Sequence, residues 1–169
     1  MAFIKVGTLG RFGGPLLVER IITNSATVAV GDAVKTTAGF GALVTTGDDI
    51  LGVVESVIGA DGLAVSTGGT YRGNPGDAFT AASDNQTVAR ARVRVDVDMS
   101  SLYEGLPDAA IGTTAGSGLA GKTFDLVDED NIDESTVNET KQQVYSHGPS
   151  INDTTRLVIN ILESELFGM

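Results

Sequence analysis

The chain has 169 residues with 41% hydrophobic and 20% charged side chains, which suits one packed core, or one β domain with an arm and a peripheral region, and lies far from disordered composition. Its formal net charge of -11 makes nucleic acid and anionic membrane surfaces poor partners, so protein is the expected partner. There is no cysteine for a disulfide or thiolate metal site, and no apolar run approaches the length of a membrane helix.

The 22 glycines, spread without a period through a Val- and Thr-rich chain, predict many short strands joined by turns. In residues 1–20, Gly7, Gly10, Gly13, Gly14 and Pro15 interrupt Phe3, Ile4, Leu9, Phe12, Leu16 and Leu17 too often for a regular element. This stretch reads as an extended N-terminal arm that docks on its own domain or on a neighbouring subunit.

The β core is expected over 21–104. Thr27-Val28-Ala29-Val30 leads into the turn pair Gly31-Asp32 and on to Ala33-Val34-Lys35. A second turn, Thr46-Gly47-Asp48-Asp49, precedes the short apolar run Ile50-Leu51-Gly52-Val53-Val54. Gly76-Asp77-Ala78-Phe79 then echoes Gly31-Asp32-Ala33-Val34, although two copies are too few for a repeat architecture. The clearest period-two pattern runs from Thr87 to Asp98. Ala89, Ala91, Val93, Val95 and Val97 alternate with Arg90, Arg92, Arg94, Asp96 and Asp98, predicting one long strand with an apolar face and a charged face.

Gly105-Leu106-Pro107 breaks the pattern, and 105–150 reads as a loop-rich, acidic insertion with room for a short helix. Residues 151–169 return as a strand with Leu157, Ile159 and Ile161 on one face, followed by the apolar tail Leu166-Phe167-Gly168-Met169. The expected fold is mostly β, a small β-barrel or β-sandwich core with the arm and the insertion attached.

Gly116-Ser117-Gly118-Leu119-Ala120-Gly121-Lys122-Thr123 satisfies the phosphate-binding pattern G-x-x-x-x-G-K-[ST], which would make the chain a P-loop NTPase. Its flanks oppose that reading: Ala109-Ala110-Ile111 is a feeble strand, and Asp125, Asp128, Glu129 and Asp130 crowd carboxylates where a triphosphate would sit. Asp128, Asp130 and Glu139 match three positions of a calcium loop, but Asp133 stands where the turn needs glycine. His147 is the single histidine, has no partner set for zinc, and reads as a turn residue. No catalytic residue, cofactor or metal is expected, and the chain reads as non-enzymatic.

The stretches Thr27 to Thr36 and Thr45 to Val54 resemble the capsid decoration, or head cement, proteins of tailed bacteriophages, in a strand, a Gly-Asp-Ala-Val turn and a later Asp-x-Ile-Leu-Gly-Val-Val strand. The resemblance covers residues 21 to 60. It implies a small β core on the outer surface of an icosahedral virion, bound to the major capsid protein, often as a homotrimer, and clamping neighbouring capsid subunits. The candidate subunit contacts are Phe3, Leu9, Phe12, Leu16 and Phe167 at the termini, with Arg90, Arg92 and Arg94 as a basic stripe. Another phage structural part, from the tail or the head-completion machinery, is the alternative within the same class.

Overall fold

The computed structural model describes residues 2–9, 16–65, 75–109, 119–134 and 143–162. The protein is mostly β and contains a closed five-stranded barrel with further sheets around it. The described residues form the strands β1 (Ile4–Thr8), β2 (Leu17–Ile21), β3 (Thr27–Ala29), β4 (Ala33–Thr37), β5 (Phe40–Leu43), β6 (Gly52–Ile58), β7 (Ala64–Val65), β8 (Ala78–Thr80), β9 (Arg92–Asp96), β10 (Ser101–Pro107), β11 (Thr123–Leu126), β12 (Asn131–Asp133), β13 (Val144–Pro149) and β14 (Leu157–Ile161).

The barrel runs β10-β12-β11-β13-β14 and closes through the β10–β14 pairing, with β1 added along β10. Closure leaves no strand edge inside the ring, and the inward side chains Phe124, Leu126, Ile132, Val144, Leu157 and Ile159 are buried. The second sheet runs β2-β9-β6-β4-β5, with β7 on β6. It curls until Ile22 bridges Gly41, which brings the end of β2 against β5. Its core of Ile22, Val28, Val34, Leu51, Val54, Val93 and Val95 is separate from that of the barrel. Strand β6 joins the two: Val53 belongs to the barrel cluster and its neighbour Val54 to the other, as side chains on opposite faces of one strand must.

Three expectations need correction. Residues 1–20 hold β1 and most of β2 rather than an irregular extended arm: β1 pairs antiparallel with β10, and β2 pairs antiparallel with β9 from Leu17↔Asp96 to Ile21↔Arg92. The glycines that suggested an arm interrupt local periodicity, but strand pairing takes its hydrogen bonds from distant chain. Phe3 is 3% exposed, its N–H donates to Gly31 O (2.9 Å), and its ring lies over Gly105, where any Cβ would collide with it. The insertion 105–150 supplies three of the five barrel strands, β11, β12 and β13. The predicted long strand over Thr87–Asp98 is shorter, because Asn85–Ala89 forms a π-helical turn that ends at Arg90, held at φ 58°.

Buried Asn85 explains that break. Its Nδ2 donates to Ile22 O (2.7 Å) and Ala91 O (2.9 Å), and its Oδ1 accepts from Ala91 N–H (2.7 Å). These bonds tie the end of β2 to the start of β9 and occupy Ile22 O and Ala91 N–H, which burial would otherwise strand, while Ala91 O also accepts from Ile22 N–H (3.0 Å).

The Gly-Asp-Ala echo has a structural counterpart. Gly31 and Gly76 both take positive φ (94° and 88°), and their turns meet, with Val30 N–H donating to Asp77 O (3.0 Å) and Gly76 N–H to Val30 O (2.8 Å). The strands beside them, β3 and β8, pair through Val28↔Phe79 and Ala29↔Ala78.

Candidate functional site

The most distinctive surface among the described residues is the outer side of β2 and β9. Alternation turns Val93 and Val95 into the core and leaves Arg92 and Arg94 outside, where antiparallel register sets Glu19 opposite Arg94. The single carboxylate of Glu19 serves both cations: Oε2 lies 2.9 Å from Arg92 Nε and Oε1 lies 3.0 Å from Arg94 Nε. The hydrogen bond from Arg94 holds the Glu19 carboxyl below its ordinary pKa. Arg94 remains 49% exposed and Arg92 36%, so the pair carries a surplus positive charge on a strongly acidic protein. At the start of β2, Leu16 (45%) and Leu17 (36%) add exposed apolar surface. Charge is thus bordered by apolar side chains, a composition that protein contacts use.

The other predicted contact residues scatter. Arg90 is exposed but sits at the end of the π-helical turn, outside the β9 ladder. Leu9 is 48% exposed just past β1, with its N–H on Ser100 O (2.7 Å). Phe3 is core, as described above. Phe12 and Phe167 lie outside the described residues.

A second feature lies where β1, β6, β9 and β10 meet. A half-open cavity of about 180 Å³ is lined by Phe3, Lys5, Val53, Val54, Asp96 and Tyr103, among others, with Glu55 on its wall. Asp96 is 2% exposed, although the sequence pattern assigned it to a solvated face. Its Oδ2 receives Lys5 Nζ (2.5 Å), Ser101 Oγ–H (2.8 Å) and Tyr103 O–H (2.9 Å), while Oδ1 receives the N–H of Asp98 (3.0 Å). Burial pushes the Tyr103 phenol far above its ordinary pKa, and the Asp96 charge adds to that, so the phenol remains a donor. Glu55 stands at a β-bulge, where the β6–β9 register shifts between Val54 and Ser56. Bulges re-aim side chains, and this one accompanies a carboxylate on the cavity wall. The sequence held only a faint signal for this group, the change from Arg to Asp along an otherwise uniform alternation.

The remaining motifs resolve into ordinary structure. Of the Gly116–Thr123 match, residues 116–118 lie outside the described residues. After Lys122 the chain enters strand β11, with Ser146 N–H donating to Lys122 O (2.8 Å), where a phosphate-binding loop would open a helix. Of the calcium-loop positions, Glu139 lies outside the described residues, and Asp128 Oδ1 accepts from Asn131 Nδ2 (2.9 Å) within its own turn. Among the described residues no group of three or more His, Asp or Glu is placed to hold a metal. His147 belongs to strand β13 rather than a turn. Its Nε2 is 2.9 Å from Asn160 Oδ1, and its ring meets Tyr145 edge-on at 5.0 Å.

Comparison with family models, curated proteins and solved structures finds no match for this chain.

Proposed function

We propose that the chain is a structural virion protein that binds the outer surface of a phage capsid and stabilises contacts between major capsid subunits. The observation that carries this reading is the β2–β9 face, the exposed Arg94 and half-buried Arg92 guanidiniums sharing one carboxylate beside exposed Leu16 and Leu17. A rigid sheet presenting charge at fixed spacing is suited to recognising an acidic protein surface without chemistry. The resemblance to head decoration proteins supports the same reading. Its two stretches hold β3 with most of β4, and the turn and first residues of β6; β4 and β6 belong to the sheet that carries this face, whereas β3 pairs with β8 in a separate two-stranded sheet. Binding only to the assembled shell would stabilise that shell by mass action, and a homotrimer would multiply the contacts.

The test is saturable binding of the purified protein to undecorated phage heads, with labelled ATP as a parallel probe. Saturable binding that weakens with salt and is lost in Arg92→Glu/Arg94→Glu is the expected result. Rings or tubes formed without heads would favour a tail or head-completion part. Nucleotide binding abolished by Lys122→Ala would overturn the structural reading altogether.

A further inference from the structure

The Lys5–Asp96 pair has the makings of a covalent bond. Its partners lie 91 positions apart and come from different sheets, β1 on the barrel side and β9 in the second sheet. The Lys5 side chain is 30% exposed along its length, but its ammonium ends on a carboxylate that is 2% exposed. Phe3, Val53, Val54 and Tyr103 surround this contact, and an ion pair among apolar walls is costly to hold because both charges lose hydration.

The donors around Asp96 divide in a chemically meaningful way. Oδ2 carries three, Lys5 Nζ, Ser101 Oγ and Tyr103 Oη, and Oδ1 carries the Asp98 backbone N–H. A carboxyl attacked by an amine needs one oxygen held as an oxyanion and the other protonated to leave. Oδ1 faces a fixed backbone donor, and Oδ2 faces the proton source. Glu55 lines the same cavity.

We propose that Lys5 and Asp96 condense into an intramolecular isopeptide bond that ties β1 to β9. A proton passes from Nζ to Oδ2, leaving a neutral amine and a carboxylic acid. The amine nitrogen forms its bond to Cγ, and charge collects on Oδ1 against the Asp98 N–H. The Cγ–Oδ2 bond then breaks, and a second proton passes from the nitrogen to the departing hydroxyl and completes one water. The product is an amide that keeps one N–H, with no oxidant and no change in net charge. Fixed proximity replaces a collision, the same advantage that drives other intramolecular acyl transfers. The amide also removes two charges from an apolar site.

The molecule contains its own control. Lys35 Nζ and Asp48 Oδ2 are likewise 2.5 Å apart, but their side chains are 24% and 27% exposed and lie outside the cavity lining. That pair should remain an ion pair.

The experiment is intact-mass spectrometry of the purified full chain, followed by tryptic mapping. The expected result is a mass lower than the sequence mass by one water, with residues 1–11 recovered joined to residues 95–122, because an acylated Lys5 resists cleavage. Lys5→Arg keeps the cation but not the primary amine, and it should fold and show its full sequence mass. A wild-type chain that keeps its full mass after prolonged incubation would overturn the proposal. So would a missing water that persists in Lys5→Arg or maps to another position, such as succinimide formation at Asp61-Gly62.

Discussion

Replacing Phe3 by Ala separates a strand that completes the core from an arm that lies on it. The ring is 3% exposed, belongs to the barrel cluster with Tyr103, Ile132 and Leu157, and covers Gly105, which has no side chain to move into a vacancy. Losing the transfer energy of a buried Phe costs about 1.5–3 kcal/mol. The cavity left behind brings the usual total for Phe→Ala to about 3–5 kcal/mol. The glycine floor limits collapse, so a loss of about 4 kcal/mol is expected. With a urea m-value of about 2 kcal/mol/M, the unfolding midpoint should fall by about 2 M. Urea unfolding followed by circular dichroism measures this, with Leu9→Ala, at a 48% exposed position, as the control expected to change stability by less than about 0.5 kcal/mol. A midpoint shift for Phe3→Ala no larger than that of the control would refute the packing argument and restore the arm.

Two further perturbations address groups that hold the sheets together. Burial pushes Asp32 up to about 6, helped by the nearby carboxylates of Glu129 and Asp130 and opposed by the hydrogen bond from Ala29 N–H. Its folded pKa lies above the unfolded one, so the folded state holds the proton more tightly, and the Asp32 contribution to stability is complete below about pH 4 and is lost as pH rises through about 6. Asp32→Asn keeps an acceptor for Ala29 N–H, so it should flatten this part of the profile and raise the melting temperature at pH 8; an unchanged profile would exclude Asp32 as its source. Asn85→Ala leaves three buried backbone groups, Ile22 O, Ala91 O and Ala91 N–H, without the side-chain bonds they have now. The expected cost is about 3 kcal/mol in thermal or urea unfolding, and a loss below about 1 kcal/mol would show that other partners replace the side chain.

The β class, the turn after β3 and the inward Val93 and Val95 could be read from spacing, because each depends on residues within a few positions of one another. What the spacing concealed depends on partners far along the chain. Gly7 looks like an interruption until β10 is set beside it, and Leu102 then pairs with it across a register shift. Thr123 to Leu126 follow a glycine-rich stretch of sequence and precede an acidic run, but Phe124 and Leu126 become barrel core because β13 and β12 close around them. The alternation Arg92, Arg94, Asp96 promised three solvated charges. Only the arginines remain outside, since Lys5, Ser101 and Tyr103 converge on Asp96 from strands that local periodicity cannot connect to it.

The two halves of β9 therefore have different tasks. Arg92 and Arg94 face outward, where they share the single carboxylate of Glu19. Asp96, one step beyond on the same face, is covered by β1 and turned into a joint between the two sheets. Under the proposed function, a load on the arginine face would reach that joint along the same strand. One strand would then both present the proposed contact and anchor the fold without a flexible linker between them, and the proposed covalent link at Asp96 would keep β1 from peeling away under that load.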